Sequence, residues 1–249
     1  MIDKAYSLFV DSIPDYKGKI CVAISGGLDS RLLAGLVSKK RKIDLAYTFY
    51  RTKDRVLGQG TNALPFAAKI AKECKVDKYF QICVDNDTKE DRRLTMGYPK
   101  VQKRKTLTGL RKLNGKVKLK DYTVLLAHGA DSYTGVEVNP LTLFSYKKKD
   151  EETKQKKILY EKEIFPITFG RYFKDWDIPL WNDQLVEFFL GLPFRYRFQQ
   201  NLYRKMIIKY FPELAKIPRE DIGKSICVGE FRYLIDRAIF RFNKWMEYK

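Results

Sequence analysis

Lys19-Ile-Cys-Val-Ala-Ile-Ser25-Gly26-Gly27-Leu28-Asp29-Ser30 is the stretch on which the fold turns. Its first half, Lys19 to Ser25, is a short apolar run, the pattern of a parallel strand covered on both faces. From Asp29 to Lys40, Leu32, Leu33, Leu36 and Val37 recur at three- and four-residue spacing and mark one face of a helix. Two consecutive glycines between these segments let the backbone turn tightly and come close to an anion. The free amides and positive dipole at the following helix start favour phosphate there. Ser25 and Ser30 add hydroxyl donors to the same turn.

Outward from this unit, Ile43 to Phe49, Lys78 to Val84 and Tyr122 to Ala127 read as strands, and Asn62 to Cys74 reads as a helix. Strands alternating with helices predict an α/β fold with a doubly wound, mostly parallel sheet. Lys89 to Lys120 has weak periodicity and several breakers, which predicts a partly helical, partly mobile region. Tyr146 to Glu163 contains KKKDEETKQKK and predicts a solvated, charged linker. Beyond it Leu185 to Leu192, Leu202 to Phe211 and Glu230 to Trp245 carry helical spacing, punctuated by Pro193, Pro212 and Pro218. The expected organisation is therefore an α/β core over 1–145, a linker over 146–163 and a helical part over 164–249 packed on the core.

The 249 residues suffice for a full core, and the 45% hydrophobic and 14% aromatic content is that of a packed chain. No apolar run approaches the roughly 20 residues of a membrane span, and the N-terminal residues do not read as a secretory signal. Cys21, Cys74, Cys83 and Cys227 form no CxxC pair, which suggests neither a zinc knuckle nor a redox dithiol and predicts a reducing cytoplasm. Lys and Arg number 49 against 30 Asp and Glu, a net charge of +19. The excess is concentrated: residues 89–120 hold twelve bases and two acids. Such a block fits an RNA backbone, an anionic small molecule or a solvated surface.

The turn is neither a Walker P-loop, because no GK[ST] follows its glycines, nor a dinucleotide fingerprint, because GxGxxG is absent. Asp29 is informative, since a carboxylate beside a polyphosphate is repelled unless a cation such as Mg2+ sits between them; otherwise it is a helix cap.

SGGLDS after a strand and before a helix resembles the SGGxDS signature of the N-type ATP pyrophosphatases, a PP-loop family with an adenine nucleotide alpha hydrolase-like fold. That resemblance implies that Ser25, Gly26, Gly27, Leu28, Asp29 and Ser30 grip the pyrophosphate of ATP. Within the superfamily the chain is most similar to the synthetase domain of asparagine synthetases and β-lactam synthetases. Leu125-Leu-Ala-His-Gly-Ala-Asp131-Ser-Tyr-Thr-Gly135 resembles the GEGxDExFGG segment, which implies that Asp131 shares Mg2+ with Asp29. His128 stands where the family has its catalytic Glu, and Ser132 where it has a second. His128, the sole histidine, is then either a base or acyl-polarising group or a structural substitution.

Ile178 through Pro193 resembles PFLDxxLVEFxxxLP, which implies structural roles for Trp181, Leu185 and Phe188. Leu202-Tyr-Arg-Lys205-Met-Ile-Ile-Lys209 resembles TKYLLR, which implies that Lys205 contacts phosphate, with Arg204 or Lys209 as alternatives by register. The family rests adenine on the ends of three strands, implying Ile24, Phe49 and Ala127 here. Asparagine synthetases begin with a glutaminase domain whose nucleophilic Cys follows the initiator Met. Ile2 stands there in this chain, so ammonia is expected from solution, from a separate glutaminase subunit, or replaced by another amine.

The resemblance implies an ATP-dependent ligase that adenylates a carboxylate, releases pyrophosphate and forms an amide. Two alternatives stay open: a tRNA-modifying enzyme that uses the basic 89–120 block, and a catalytically degenerate ATP-binding homologue.

Overall fold

A computed structural model describes residues 1–52, 64–85, 89, 101–128, 130–134, 162, 165–197, 200–219, 223–229, 235–236 and 239, the side chains of 101–105, 131–132 and 194 excepted. Five strands form one parallel sheet: β1 (Lys19–Ala23), β2 (Leu45–Tyr50), β3 (Lys78–Cys83), β4 (Tyr122–Leu125) and β5 (Asp175–Asp177), in the order β3-β2-β1-β4-β5. The doubly wound parallel α/β class expected from the sequence is what the structure shows. β1 is central, and Ile20, Cys21 and Val22 are fully buried, as a strand covered on both faces requires.

The chain steps outward from β1 through helix α1 (Leu28–Lys40) to β2 and through α2 (Leu64–Glu73) to β3. These two helices pack on each other. It then returns through α3 (Val101–Asn114), which packs on β3, to β4 on the other side of β1. Right-handed crossovers running in opposite directions put their helices on opposite faces of the sheet. The reversal makes the carboxyl ends of β1 and β4 the topological switch point, where open α/β sheets bind ligands.

After β5 come α4 (Asp183–Leu190), α5 (Asn201–Tyr210) and α6 (Pro212–Lys216). An unexpected N-terminal helix over Ile2–Asp11 buries Ala5 and Phe9 and packs on α4 and α5. Trp181 and Leu185 are buried, and Phe188 packs partly buried against the core. The expected linker at 146–163 lies outside the described residues except Lys162, as does most of the helix expected over Glu230 to Trp245. No described helix is long and apolar enough to cross a membrane.

Helix α3 is a helical part of the basic block, as expected there. Over 101–114 the charged stretch is a helix that buries Leu107, Leu110 and Leu113. Lys112 donates to the Cys83 carbonyl at 2.8 Å, and Lys120 to the carbonyls of Gly170 and Phe173 at 2.9 and 3.0 Å. Some of the positive charge therefore closes strand and turn ends.

Gly109 lets α3 come down on β2: a Cβ there would lie 2.5 Å from Phe49 Cε1 and 2.6 Å from its Cζ. Gly→Ala in a helix interior ordinarily adds about 1 kcal/mol of stability. Gly109→Ala is expected to lower the melting temperature instead, because a rigid ring must move. Adding Phe49→Leu should recover part of the loss, which a double-mutant cycle by thermal melting checks.

Candidate functional site

The phosphate turn holds itself in shape. Ser25 N–H donates to Ser30 Oγ at 2.9 Å, Ser30 Oγ donates to the Ser25 carbonyl at 3.2 Å, the two hydroxyls lie 3.0 Å apart, and Gly27 N–H donates to Ser25 Oγ at 3.1 Å. The serines expected as phosphate donors thus spend their hydroxyls on the turn, fixing its backbone before a ligand arrives. Neither Gly26 nor Gly27 lies in the left-handed region; Gly27 is extended at φ −75° and ψ 172° and is the N-cap of α1. What the pair supplies is the absence of side chains where an anion would approach. Asp29 is the second residue of α1, so it is not the helix cap, and its side chain faces a cavity.

That cavity, about 490 Å³, lies beyond the carboxyl ends of β1, β2 and β4 and is within the roughly 300–1,000 Å³ usual for small-molecule sites. Its wall brings together Ile24, Ser25, Gly27, Leu28, Asp29, Ser30, Phe49, Ala127 and His128, residues expected at the site from three separate stretches of sequence. Gly26 stands behind the wall, with its carbonyl accepting from Arg31 at 3.1 Å. Ile24 needs one refinement. Its N–H donates to the Tyr47 carbonyl at 2.9 Å and its carbonyl accepts from Thr48 Oγ1 at 2.6 Å, so it meets a ligand chiefly as an apolar wall.

Lys205 is not brought in. It is exposed on α5 and absent from the cavity wall. Neither register alternative joins the wall, since Arg204 is buried in the packing and Lys209 pairs with Asp3 at 2.5 Å. Helix spacing put Lys205 on a plausible face, but the adjacent Leu202, Tyr203, Met206 and Ile207 are the buried side of α5 and turn it to solvent.

Asp131 lies on a short helix, Ala130–Thr134, that follows β4, and its side chain lies outside the described residues. The helix itself is well anchored. Tyr133 donates to the Leu180 carbonyl, and Thr134 Oγ1 donates to the Ala130 carbonyl at 2.6 Å while accepting from Gln200 Nε2 at 3.1 Å. Gln200 is buried, left-handed at φ 58° and part of the cavity wall. Because the Thr134 proton goes to Ala130, Gln200 must present its amide nitrogen. Its carbonyl oxygen then has no hydrogen-bond partner among the described residues.

His128 lines the cavity; the residue as a whole is exposed, while the Phe165 ring stands edge-on to its imidazole at a centroid distance of 5.2 Å. Loss of water around the imidazole holds its pKa below the ordinary 6.5. It is therefore neutral at physiological pH and able to accept a proton. The unfolded chain takes up a proton first as pH falls through 6.5. The stability held above 6.5 is thus lost between 6.5 and the lower folded value. From pH 7.5 to 5.5 the melting temperature of the native chain should fall more than that of His128→Gln.

A Mg2+ ion keeps several waters and takes only one or two carboxylates beside substrate phosphates. Asp29 on the wall beside the turn fits that pattern. Among the described residues no three His, Cys, Asp or Glu side chains gather as a metal-ligating group. The cysteines are dispersed, and burial holds the Cys21 thiol well above its ordinary value and pushes Cys74 up to about 12.

Sequence reasoning missed Thr106, Phe169, Gln200 and Arg219, all on the cavity wall. None belongs to a motif; the fold delivers them from separate elements.

No family model matches the chain, and no curated protein matches it. Among solved structures it is similar to the U34-tRNA thiolase NcsA from Methanococcus maripaludis, determined with its 4Fe-4S cluster. The identity is 14%, covering 87% of this chain and 76% of that one, with a TM-score of 0.45. It is also similar to the NH3-dependent NAD synthetase from Campylobacter jejuni subsp. jejuni NCTC 11168, in complex with nitrate. The identity there is 14%, covering 81% of this chain and 93% of that one, with a TM-score of 0.34. At this distance neither likeness says what this chain binds or which reaction it performs.

Proposed function

We propose that the chain binds ATP in this cavity and transfers its adenylyl group to an acceptor, releasing pyrophosphate. The observation that supports this most is the convergence of the self-braced SGGLDS turn, the strand ends expected to meet adenine, and neutral His128 on one wall at the switch point. The amides at the start of α1, beside the braced turn, bind the β and γ phosphates. Asp29 and Asp131 would hold Mg2+, which supplies charge neutralisation on the triphosphate. Ile24, Phe49 and Ala127 wall the adenine.

The acceptor is a carboxylate whose oxygen attacks the α-phosphorus as pyrophosphate leaves. An amine or ammonia then adds to the acyl carbon, His128 takes its proton, and AMP departs, leaving an amide. Most of the acceleration comes from positioning and from donors aimed at the developing charge. Lys205, exposed on α5 and off the described wall, is given no role in this sequence.

One observation favours a second reading. Thr106 belongs to the wall and to α3, whose Lys103, Arg104, Lys105, Arg111 and Lys112 form a run without acids. A basic helix beside the cavity suits a tRNA whose base is the adenylated group.

Pyrophosphate release from Mg-ATP separates the two, with carboxylates plus ammonia in one arm and unfractionated tRNA in the other. Stimulation by a carboxylate supports the ligase. Stimulation by tRNA alone replaces it with RNA modification, and tight ATP binding without release in either arm leaves a degenerate binding protein.

A further inference from the structure

We propose that Arg219 is a polyphosphate-binding cation of this cavity, carried to the phosphate turn by the C-terminal segment. The assignment rests on the ATP reading for the identity of the ligand but not for the chemistry of its anionic end.

The charge of the wall is the starting point. Among the described lining residues the charged side chains are Asp29 and Arg219, and His128 is held neutral. A triphosphate is a polyanion, and Asp29 adds a negative charge beside it. The backbone donors of the turn carry only partial positive charge. Arg219 is the one full cation that the described wall offers, and a guanidinium matches two phosphate oxygens at once.

Its placement is fixed rather than adventitious. Arg219 is buried, and both its backbone groups are committed. Its N–H donates to the Lys224 carbonyl at 3.0 Å, and its carbonyl accepts from Gly223 N–H at 2.8 Å. Gly223 closes that turn at φ +65°, a conformation that glycine adopts without strain. The residues just before Arg219 are tied to the phosphate turn by Arg31, fully buried one position beyond the motif. Arg31 donates to the carbonyls of Leu214, Ile217 and Pro218 at 2.9, 2.6 and 2.9 Å and to that of Gly26 at 3.1 Å. On the far side, Ser225 Oγ donates to the Ala215 carbonyl at 2.8 Å, and Lys224 pairs with the nearly buried Asp236 at 2.9 Å. One guanidinium thus fixes the segment against the turn, and that segment places a second arginine, Arg219, on the cavity wall. A cation positioned before binding loses less entropy on contact than one on a loose side chain.

The test is calorimetric binding of ATP, adenosine and inorganic tripolyphosphate to the full chain and to Arg219→Gln and Arg219→Lys. For Arg219→Gln the expected result is a loss of about 10- to 100-fold for ATP and tripolyphosphate, with adenosine within about 3-fold. Arg219→Lys should recover part of the loss, and the ATP affinity of the native chain should fall more steeply with salt than that of Arg219→Gln. Unchanged tripolyphosphate binding in Arg219→Gln would overturn the assignment. So would an equal loss for adenosine, since that marks a structural role. A native chain that binds tripolyphosphate through Arg219 but neither ATP nor adenosine would keep the assignment and remove the nucleotide reading. A native chain that binds none of the three would overturn both.

Discussion

Asp29→Asn is expected to lower pyrophosphate release by about 100-fold or more while leaving the fold intact. The substitution is isosteric, and Asp29 is not the cap of α1, a place held by Gly27, so the helix loses little. What disappears is a carboxylate charge on the cavity wall, which on the proposed reading holds Mg2+ against the triphosphate. Raising the Mg2+ concentration should recover part of the rate, because weaker ligation appears first as weaker metal affinity. The measurement is initial-rate pyrophosphate release against Mg2+, with circular dichroism as the control for folding. Native rates in Asp29→Asn would remove the metal role.

Arg31→Met is expected to cost about 3 kcal/mol or more, since a fully buried cation that serves four carbonyls is removed and those acceptors stay buried. For a chain of this size that is a fall of roughly 6–12 °C in melting temperature. Methionine reaches only about as far as the Arg31 Nε, so the emptied space of the outer guanidinium adds a cavity cost to the lost donors. Because Gly26 is one of the four partners, the variant should also bind ATP less tightly than its stability alone would suggest. A loss below about 1 kcal/mol would show that Arg31 does not tie the turn to the C-terminal segment.

The sheet was legible because its central strands are apolar on both faces and the intervening helices carry a clear period. The boundaries of β1 through β4 differ from expectation by two residues or fewer. β5 was not legible: Asp175, Trp176 and Asp177 are three largely polar residues at a sheet edge, where no apolar pattern is needed. The N-terminal helix over Ile2–Asp11 was not legible for a different reason: Asp3, Lys4, Ser7 and Asp11 interrupt its apolar residues, and the docking of Ala5 and Phe9 on α4 and α5 is what makes them the wet face of an amphipathic helix.

In the site, local motifs gave the turn, the strand ends and His128, all of which sit at fixed offsets from strands. Arg219 and Gln200 come from distant segments whose approach depends on tertiary packing, and no spacing rule reaches that far. The expectation for Lys205 shows the converse. A helix period names a face but not what that face meets, and Met206 and Ile207 claimed the buried side.

On the proposed reading, ATP is cleaved between its α and β phosphates in the cavity of the SGGLDS turn. The most direct test is 31P NMR of the products formed by the native chain from Mg-ATP with carboxylates, ammonia and tRNA supplied together. AMP and pyrophosphate in equal amounts, lost in Asp29→Asn, is the predicted result; ADP with orthophosphate would contradict it.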